Sequence, residues 1–299
     1  MRSRKSPEAE CAIEQAAAVV GEWWTLLIVR DVASGINRFD ELQAELQISR
    51  RVLSERLAAL VADGVLERRL YQARPPRYEY HLTPAGYGLT PVLMALQDWG
   101  ARFLLGDGTL TATGGPRSQE ARRVRKMVGT DVPQITLAAG EDVRADPIGT
   151  SDWTVIYCYP GAHATSGAYP AGWSEIPGAA GCTLEATTFR DRIDEFAAHG
   201  AEVVGVSTQW PQEQAAFAAT ARVPYRLLSD QDLQLAVALR LPTFHAGARN
   251  HLKRLTLIAG ADRRIRHVLY PIPDPVASVE HTLVLLERLT ARPAMRAGA

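Results

Sequence analysis

The sequence predicts two domains, a mainly α-helical domain followed by an α/β domain, and three observations support this division. The chain has 299 residues, which is long enough to bury two hydrophobic cores. Apolar side chains recur mostly at helical spacing in the N-terminal third, whereas strand-like and helical runs alternate in the C-terminal half. Between them lies a stretch, 106–130, rich in glycine breakers and basic residues. We assign residues 1–108 to the first domain, 109–130 to a linker, 131–292 to the second domain and 293–299 to a tail.

Composition limits the partners and the compartment. Hydrophobic residues make up 46% and charged residues 22% of the chain, as in ordinary globular proteins. Because 33 lysines and arginines balance 33 aspartates and glutamates, any surface for nucleic acid must be local. No apolar run approaches a membrane span, so no membrane partner is expected. Cys11, Cys158 and Cys182 match neither a disulfide framework nor a zinc site, which fits a reducing cytoplasm. The histidines show no ligand-like spacing, so we expect no metal and no cofactor.

Three helices dominate the first domain. Residues 23–32, 38–46 and 50–62 each repeat apolar side chains at helical spacing. A tight turn joins the second to the third, and Ser49 is a good N-cap for the third. The third helix carries basic and hydroxyl side chains largely away from its apolar face. Two helices arranged in this way are typical of a helix-turn-helix, whose second helix enters the major groove of DNA.

A basic hairpin follows these helices. Two strand-like runs, 65–71 and 78–82, flank a tip that contains two arginines. Such a wing can meet phosphates or a minor groove. A single arginine is more often a solvated surface charge, but the helix and hairpin together favour double-stranded DNA as a partner. The predicted DNA-binding residues are Ser49, Arg50, Arg51, Ser54, Arg56, Arg74 and Arg77.

Four segments of this domain carry a family pattern, namely GEWWTLLI at 21–28, RFDEL at 38–42, VLSERL at 52–57 and PRYEYHLT at 76–83. With the spacing between them kept, these four segments resemble the HxlR family of winged-helix transcriptional regulators. The resemblance implies a homodimer on a palindromic operator, and one long helix predicted at 83–103 has an apolar side that suits a dimer. It also makes Cys11 a candidate sensor of oxidants, the alternative being an inert cysteine.

The second domain alternates strands with helices. Strand-like runs at 154–159, 201–207 and 225–230 are separated by helical patterns at 185–199 and 211–221. A small hairpin precedes them, and a terminal hairpin (252–258 and 265–270) and a helix (277–289) end the domain. This order predicts a thioredoxin-like α/β fold.

Cys182 is the main candidate for chemistry in this domain. It lies where the segment IPGAAGCT, at 176–183, meets a predicted helix. Unpaired N–H groups and the helix dipole favour an anion there, so we expect a lowered thiol pKa and a nucleophilic thiolate. The alternative is a small core cysteine at the start of a helix.

Residues 132–289 resemble the peroxiredoxin (alkyl hydroperoxide reductase/thiol-specific antioxidant) family, on matches that include Tyr159-Pro160 and Gly181-Cys182-Thr183. The resemblance implies that Cys182 is the peroxidatic thiolate, which attacks a peroxide and becomes sulfenic acid. It implies that Pro160 belongs to the catalytic site and that Arg254 holds the thiolate and the peroxide oxygens. The alternative for Arg254 is a surface charge at the end of a strand.

The chain departs from the peroxiredoxin pattern in two places. Ala179 stands where the family has a hydroxyl, and 161–175 are inserted after Pro160. Peroxide reactivity is therefore weaker, or the oxidant differs. Because Thr187 stands where some relatives carry a resolving cysteine and Cys158 is predicted to be buried, we expect a one-Cys cycle with an external thiol reductant. A relay from Cys182 to Cys11 is a further hypothesis. His245 and His251 are interpreted as ordinary surface residues.

Together these patterns predict a redox-linked, DNA-binding transcriptional regulator whose second domain reduces or senses peroxides through Cys182. The main alternative is a one-Cys thiol peroxidase whose winged-helix domain serves dimerisation or localisation. A third possibility is a second domain that has lost catalysis and acts as a binding module.

Overall fold

The computed structural model describes residues 10–165 and 169–291, and the chain folds into two compact units, Met1–Leu93 and Met94–Ala299. The first nine residues of the predicted first domain and the predicted tail lie outside the described residues. The division falls inside one helix, Thr90–Phe103. Each unit has its own hydrophobic core.

Among the described residues of the first unit, four helices are followed by a hairpin, after which come a short helix and the start of a longer one. Ile28, Leu42 and Leu53 are fully buried where the helices meet. Gln47 adopts the left-handed backbone conformation (φ 51°) that ends one helix and turns the chain towards the next, as the helix-turn-helix prediction requires. The elements are α1 Ala12–Val20, α2 Trp23–Ala33, α3 Phe39–Leu46, α4 Arg50–Ala62, β1 Leu66–Gln72 and β2 Arg77–Leu82.

The strands β1 and β2 pair antiparallel, with Leu66 opposite Leu82, which confirms the predicted hairpin. The single helix predicted at 83–103 is wrong, since the chain forms α5 (Pro84–Tyr87) and α6 (Thr90–Phe103) instead. Gly88, a residue type that favours helices poorly, is the C-cap of α5, and the Thr90 hydroxyl donates to the Tyr87 carbonyl at 2.7 Å.

None of the helices within 10–165 and 169–291 is by itself long and apolar enough to cross a membrane. Helices α1 and α2 reach the required length and composition only as a pair, with a bend of 76° between them. Five residues of α2 are buried in the structure, among them Ile28, Val29 and Val32.

The second unit is built on a sheet with the order β11-β10-β5-β6-β7-β3-β4. Strands β5, β6 and β7 are parallel, and β10 runs antiparallel to β5 and β11. The strands predicted at 154–159, 201–207, 225–230 and 265–270 are confirmed to within one residue at each end, whereas the strand predicted at 252–258 begins only at Leu255. Cys158 is buried as expected. The strands are β3 Leu137–Ala138, β4 Arg144–Ala145, β5 Trp153–Cys158, β6 Ala201–Ser207, β7 Arg226–Ser229, β10 Leu255–Gly260 and β11 Ile265–Leu269.

Helices cover this sheet and bury Phe189, Phe196 and Leu286 against it. The continuous helix predicted at 185–199 is wrong, because Arg192 leaves helical geometry (φ −113°) and separates two shorter helices. The helices are α8 Cys182–Asp191, α9 Ile193–Ala198, α10 Pro211–Ala221, α11 Gln234–Ala238 and α12 Pro275–Thr290.

The stretch interpreted as a linker is packed rather than solvated. It contains α7 (Gln119–Arg125), and Ala112 and Ala121 are fully buried. The Ala112 N–H donates to the Pro177 carbonyl at 2.8 Å. Lys253 Nζ donates to both carboxylate oxygens of Glu120, at 3.1 and 3.2 Å. These contacts make 109–130 a structural part of the second unit, whereas the predicted domain boundaries themselves stay predictions.

Candidate functional site

Cys182 is the first residue of α8, as the sequence predicts. Gly181 precedes it with φ +97°, a conformation that L side chains rarely adopt. A Cβ atom at Gly181 would also lie 2.8 Å from Pro275 Cγ, so this position requires glycine. The turn thereby fixes the thiol at the N-terminus of the helix.

Arg254 lies immediately before β10 and is 1% exposed, which rules out a surface charge. Its Nη2 donates to Cys182 Sγ at 3.3 Å and to the Ala180 carbonyl at 3.0 Å. Its Nη1 donates to the carboxylate of Glu185. The structure thus brings together the two side chains that the sequence proposes as a catalytic pair. Their catalytic role stays a prediction.

Glu185 completes this buried group, although the sequence argument assigned it no role. Its carboxylate accepts from Arg254 and from the Ser278 hydroxyl, the latter at 3.5 Å. Burial raises the pKa of Glu185 to about 7, while the charge of Arg254 acts in the opposite direction. Glu185 follows Cys182 by three positions, so both lie on one face of α8. That spacing is the sequence signal that could have identified it.

The prediction that the pKa of Cys182 is lowered is wrong. Burial raises the pKa of the Cys182 thiol, and this outweighs the opposing effects of Arg254 and of a hydrogen bond from the Gly161 amide. The nearby Glu185 raises this pKa further. The protonated sulfur donates to the Ala179 carbonyl at 3.5 Å. This environment therefore favours the thiol over the thiolate.

The interpretation of His251 as a surface residue is wrong. It lies on β9 (Arg249–Leu252), which pairs with β8 (Thr243–Ala246) in a hairpin that the sequence did not reveal. The imidazole is 2% exposed and lies against Phe244 and Trp173, with ring centroids 5.3 and 4.8 Å away. Its Nδ1 lies 2.9 Å from the carbonyl oxygen of Pro160, and its Nε2 lies 3.3 Å from that of Ala246. His245 is exposed, as predicted.

The insertion at 161–175 contributes an aromatic wall beside the cysteine loop. Trp173 packs with Phe244 and Ala179 in one buried cluster, and Tyr169 lies against Trp173 with ring centroids 5.6 Å apart. Ala179, which replaces the family's hydroxyl residue, is fully buried in this apolar cluster. Its methyl group therefore suits its surroundings, whereas a hydroxyl there would need a partner.

Asp98, a partly buried acid, lies in the wall of a cavity of about 910 Å³ in the second unit. Asn250 Nδ2 donates to its carboxylate at 2.6 Å, and the Thr243 hydroxyl donates to the other oxygen. Burial raises the pKa of Asp98 to about 6, although both hydrogen bonds lower it. Pro177, on the cysteine loop, is part of the same cavity wall.

The predicted DNA-binding helix is α4. The Ser49 hydroxyl caps it by accepting from the Val52 N–H at 3.3 Å. The side chains of Arg50 and Arg51 are 68% and 88% exposed. Each forms an ion pair with an acidic neighbour. Arg50 Nη1 lies 3.0 Å from Asp40 Oδ1. Arg51 Nε lies 2.9 Å from Glu55 Oε1. Both guanidinium groups face solvent and can exchange these partners for phosphates.

The remaining predicted DNA-binding residues differ in exposure. Ser54, Arg74 and Arg77 are exposed on α4 and on the hairpin. Arg56 is half-buried, and its Nε has no hydrogen-bond partner within the described part of the chain. Cys11, the candidate sensor, is partly exposed at the N-cap of α1, where its side chain makes no capping hydrogen bond. None of these roles is tested by the geometry, and they stay predictions.

Comparison with known proteins assigns the two parts. Residues 19–107 match the HxlR-like helix-turn-helix model. A regulator of Bacillus subtilis, the uncharacterized HTH-type transcriptional regulator YvaP, is 38% identical over 92 residues, which are 30% of this chain and 85% of the relative. The chain belongs to the HxlR-like helix-turn-helix family. An uncharacterized HTH-type transcriptional regulator of Mycobacterium tuberculosis is 42% identical over 93 residues, 31% of this chain, and the chain spans only 59% of its length.

Residues 128–268 match the AhpC/TSA family, so this HxlR-like protein carries an AhpC/TSA domain in its second unit. The crystal structure of peroxidoxin BcpB from Mycobacterium tuberculosis is 28% identical, with a TM-score of 0.45, and covers 54% of this chain and 97% of that one. Both family resemblances are confirmed. The predicted fold class, a mainly α winged helix-turn-helix domain and an α/β thioredoxin-like domain, is also confirmed.

Proposed function

We propose that this protein is a redox-linked transcriptional regulator whose AhpC/TSA domain reduces or senses peroxides through Cys182. One observation carries the proposal. A thiol at a helix N-terminus faces the buried guanidinium of Arg254, in a chain that also holds an HxlR-like helix-turn-helix domain. An arginine so placed can stabilise both a thiolate and the charge that develops on a peroxide oxygen.

The reaction begins when the Cys182 thiol loses its proton to solvent. The thiolate attacks one oxygen of the peroxide, an S–O bond forms and the O–O bond breaks. The leaving oxygen departs as an alkoxide or hydroxide and takes a proton from water. Cys182 is oxidised by two electrons to sulfenic acid, and the peroxide is reduced to an alcohol or to water. Arg254 would hold the negative charge at each stage.

Reduction of the sulfenic acid requires thiols from outside this site, since Cys158 is buried in β5. One external thiol displaces water and forms a mixed disulfide with Cys182. A second thiol releases Cys182 and leaves as the oxidised disulfide. A relay to Cys11 is the other route. Non-reducing peptide mapping of the oxidised protein tests it, because the relay requires a Cys11–Cys182 bond within or between subunits.

In the DNA-binding half, α4 would enter the major groove of a palindromic operator and the β1–β2 hairpin would contact the backbone, in a homodimer. Oxidation at Cys182, or at Cys11, would shift the dimer between two arrangements and change its operator affinity. The protein would work in the cytoplasm, where its three cysteines, none of them in a disulfide, stay reduced between oxidation events.

The deciding experiment is stopped-flow oxidation of the reduced protein by hydrogen peroxide, with sulfenic acid trapping, beside Cys182→Ser. We expect a fast phase that Cys182→Ser abolishes. Because only the thiolate reacts, the rate should rise about tenfold per pH unit below the pKa of Cys182, which burial raises. A fast phase that survives the substitution would contradict the proposal.

A measurement of DNA affinity before and after oxidation distinguishes the regulator from the enzyme. Duplexes selected from a random library by the reduced protein should lose or gain affinity after peroxide treatment, and Cys182→Ser should not respond. Peroxide turnover with an external thiol that leaves DNA affinity unchanged would support a one-Cys thiol peroxidase instead. An unreactive Cys182 would support a binding module.

A further inference from the structure

The cavity of about 910 Å³ in the second unit has a mainly apolar wall. Its volume lies in the range that accommodates a drug-sized molecule. Two aromatic side chains of the wall, Trp99 and Phe103 of α6, are 54% and 51% exposed, and their ring centroids lie 6.0 Å apart. A ligand that covers such apolar surface removes it from water, which favours binding. The apolar side chains of the wall are Trp99, Phe103, Leu105, Leu110, Pro177 and Phe244.

The charged side chains of the same wall carry an excess of negative charge, because three acids stand against two bases. Arg102 and Asp107 are both exposed and have opposite charges. Lys253 Nζ donates to the carboxylate of Glu120, and these two side chains are only 9% and 13% exposed. The four charges cancel, so the remaining charge of the wall is that of Asp98.

Two neutral donors fix the carboxylate of Asp98. Asn250 Nδ2 donates to one oxygen at 2.6 Å, and the Thr243 hydroxyl donates to the other. Among the described residues, Asp98 forms no ion pair with a cationic side chain. A carboxylate accepts up to about four hydrogen bonds, so this one can accept more. A partly buried carboxylate without a counter-charge favours a cation beside it.

The carboxylate of Asp98 is ionised at pH 7.5. Burial raises the pKa of Asp98 to about 6, whereas its two hydrogen bonds and the charges of Lys253 and His245 lower it. A bound cation would lower this pKa further, because it stabilises the ionised form. The charge and the apolar wall therefore suit the same ligand, a cation with an apolar body.

We propose that this cavity binds a small organic cation, an arylalkyl amine or quaternary ammonium, whose charge lies beside Asp98 and whose apolar body packs against Trp99 and Phe103. The ammonium group supplies the counter-charge that the carboxylate lacks, and the negative faces of the aromatic rings attract it. Binding at this cavity requires neither the chemistry of Cys182 nor DNA, so it is a further function, independent of the one proposed above.

Three probes of similar shape and different charge test the proposal. At pH 7.5, 1-naphthylmethylamine is a cation, 1-naphthalenemethanol is neutral and 1-naphthoate is an anion. Isothermal titration calorimetry of the reduced, full-length protein measures the affinity for each. We expect the cation to bind about tenfold more tightly than the alcohol, because hydrogen bonds to a charged group are stronger than those between neutral groups. The anion should bind most weakly.

Three variants locate the site. Asp98→Asn removes the charge and keeps the size of the side chain, so it should lower the affinity for the cation to that for the alcohol. Asp142→Asn removes the same charge from an exposed position outside the cavity and should leave all three affinities unchanged. Trp99→Leu should weaken binding of both the cation and the alcohol. Because Trp99 is half exposed, this variant tests the location even if Asp98→Asn does not fold by circular dichroism.

Equal affinities of the wild type for the cation and the alcohol would overturn the proposal. A preference for the cation that persists in Asp98→Asn, or unchanged binding in Trp99→Leu, would overturn it as well. The absence of binding by every probe would also contradict it, and it is the result expected if a second copy of the chain fills the cavity at Trp99 and Phe103. None of these measurements uses peroxide or DNA, so they are unaffected by the outcome for the redox-linked regulator.

Discussion

The charged side chains at the two candidate sites lie in opposite surroundings. On α4 of the first unit, Arg50 and Arg51 face solvent beside acids that they can exchange for phosphates. In the second unit, Arg254 and Glu185 are both buried, and each is the other's partner. Exposed pairs are screened by water, whereas buried charges depend on their partner. A change on α4 should therefore affect DNA binding alone, and a change at the buried pair should affect both stability and chemistry.

The largest effect is expected from Arg254→Met. This change leaves Glu185 buried without its cation, which typically costs about 3–5 kcal/mol in the free energy of unfolding. The loss should be larger at pH 8 than at pH 5.5, because burial raises the pKa of Glu185 to about 7 and the protonated acid needs no cation. Urea unfolding at the two pH values measures it.

The double variant Arg254→Met/Glu185→Gln is the control for this prediction. It removes both charges, so much of the lost stability should return at pH 8. Equal losses in the single and double variants would show that packing, rather than the unpaired carboxylate, causes the effect.

The next effect concerns Asp98 and the pH dependence of stability. Its pKa is about 6 in the folded state and about 3.9 in an unfolded chain, so the folded state binds the proton more tightly. The free energy of unfolding should therefore fall as pH rises from about 4 to about 6, by up to about 3 kcal/mol. Asp98→Asn should flatten this part of the curve in urea titrations. A curve that keeps the wild-type slope would assign the dependence to other acids.

Arg50→Ala should act on DNA binding without acting on stability. Loss of one arginine contact should weaken binding to a selected duplex by about tenfold and reduce the salt dependence. Fluorescence anisotropy at several salt concentrations measures both quantities. Arg144→Ala, an exposed change in the second unit, is the matched control and should bind as wild type. Equal weakening in both variants would mean that overall charge, rather than α4, drives binding.

The smallest effect is expected from Arg51→Ala on stability. Its pair with Glu55 is solvent-exposed and screened, so the urea unfolding curve should overlay that of the wild type. A clear loss of stability would show that the charges of α4 also support the fold, and it would remove the contrast between the two units.

Local patterns were sufficient to predict much of the fold. The helices at 50–62 and 211–221 and the strand at 201–207 match the structure to the residue, because their apolar periodicity is set within each segment. The break at Arg192 and the β8–β9 hairpin were missed, since neither carries a strong local signal. The burial of His251 was also missed, because its contact with the Pro160 carbonyl joins residues 91 positions apart and no local pattern reveals it. The family resemblance predicted that Cys182 and Arg254 act together. The distance between them is set by tertiary packing, which local patterns do not reveal.

The packed stretch at 109–130 determines where a fragment of the second unit has to begin if it is to keep its internal contacts. A fragment that starts at residue 131 would lose Glu120 and Ala112. Lys253, which is 7% exposed, would then have no carboxylate, and the Pro177 carbonyl on the cysteine loop would lose its N–H donor. A fragment that starts at residue 94 keeps both contacts. The structural unit that carries the AhpC/TSA domain therefore begins well before residue 128, where the match to that family starts.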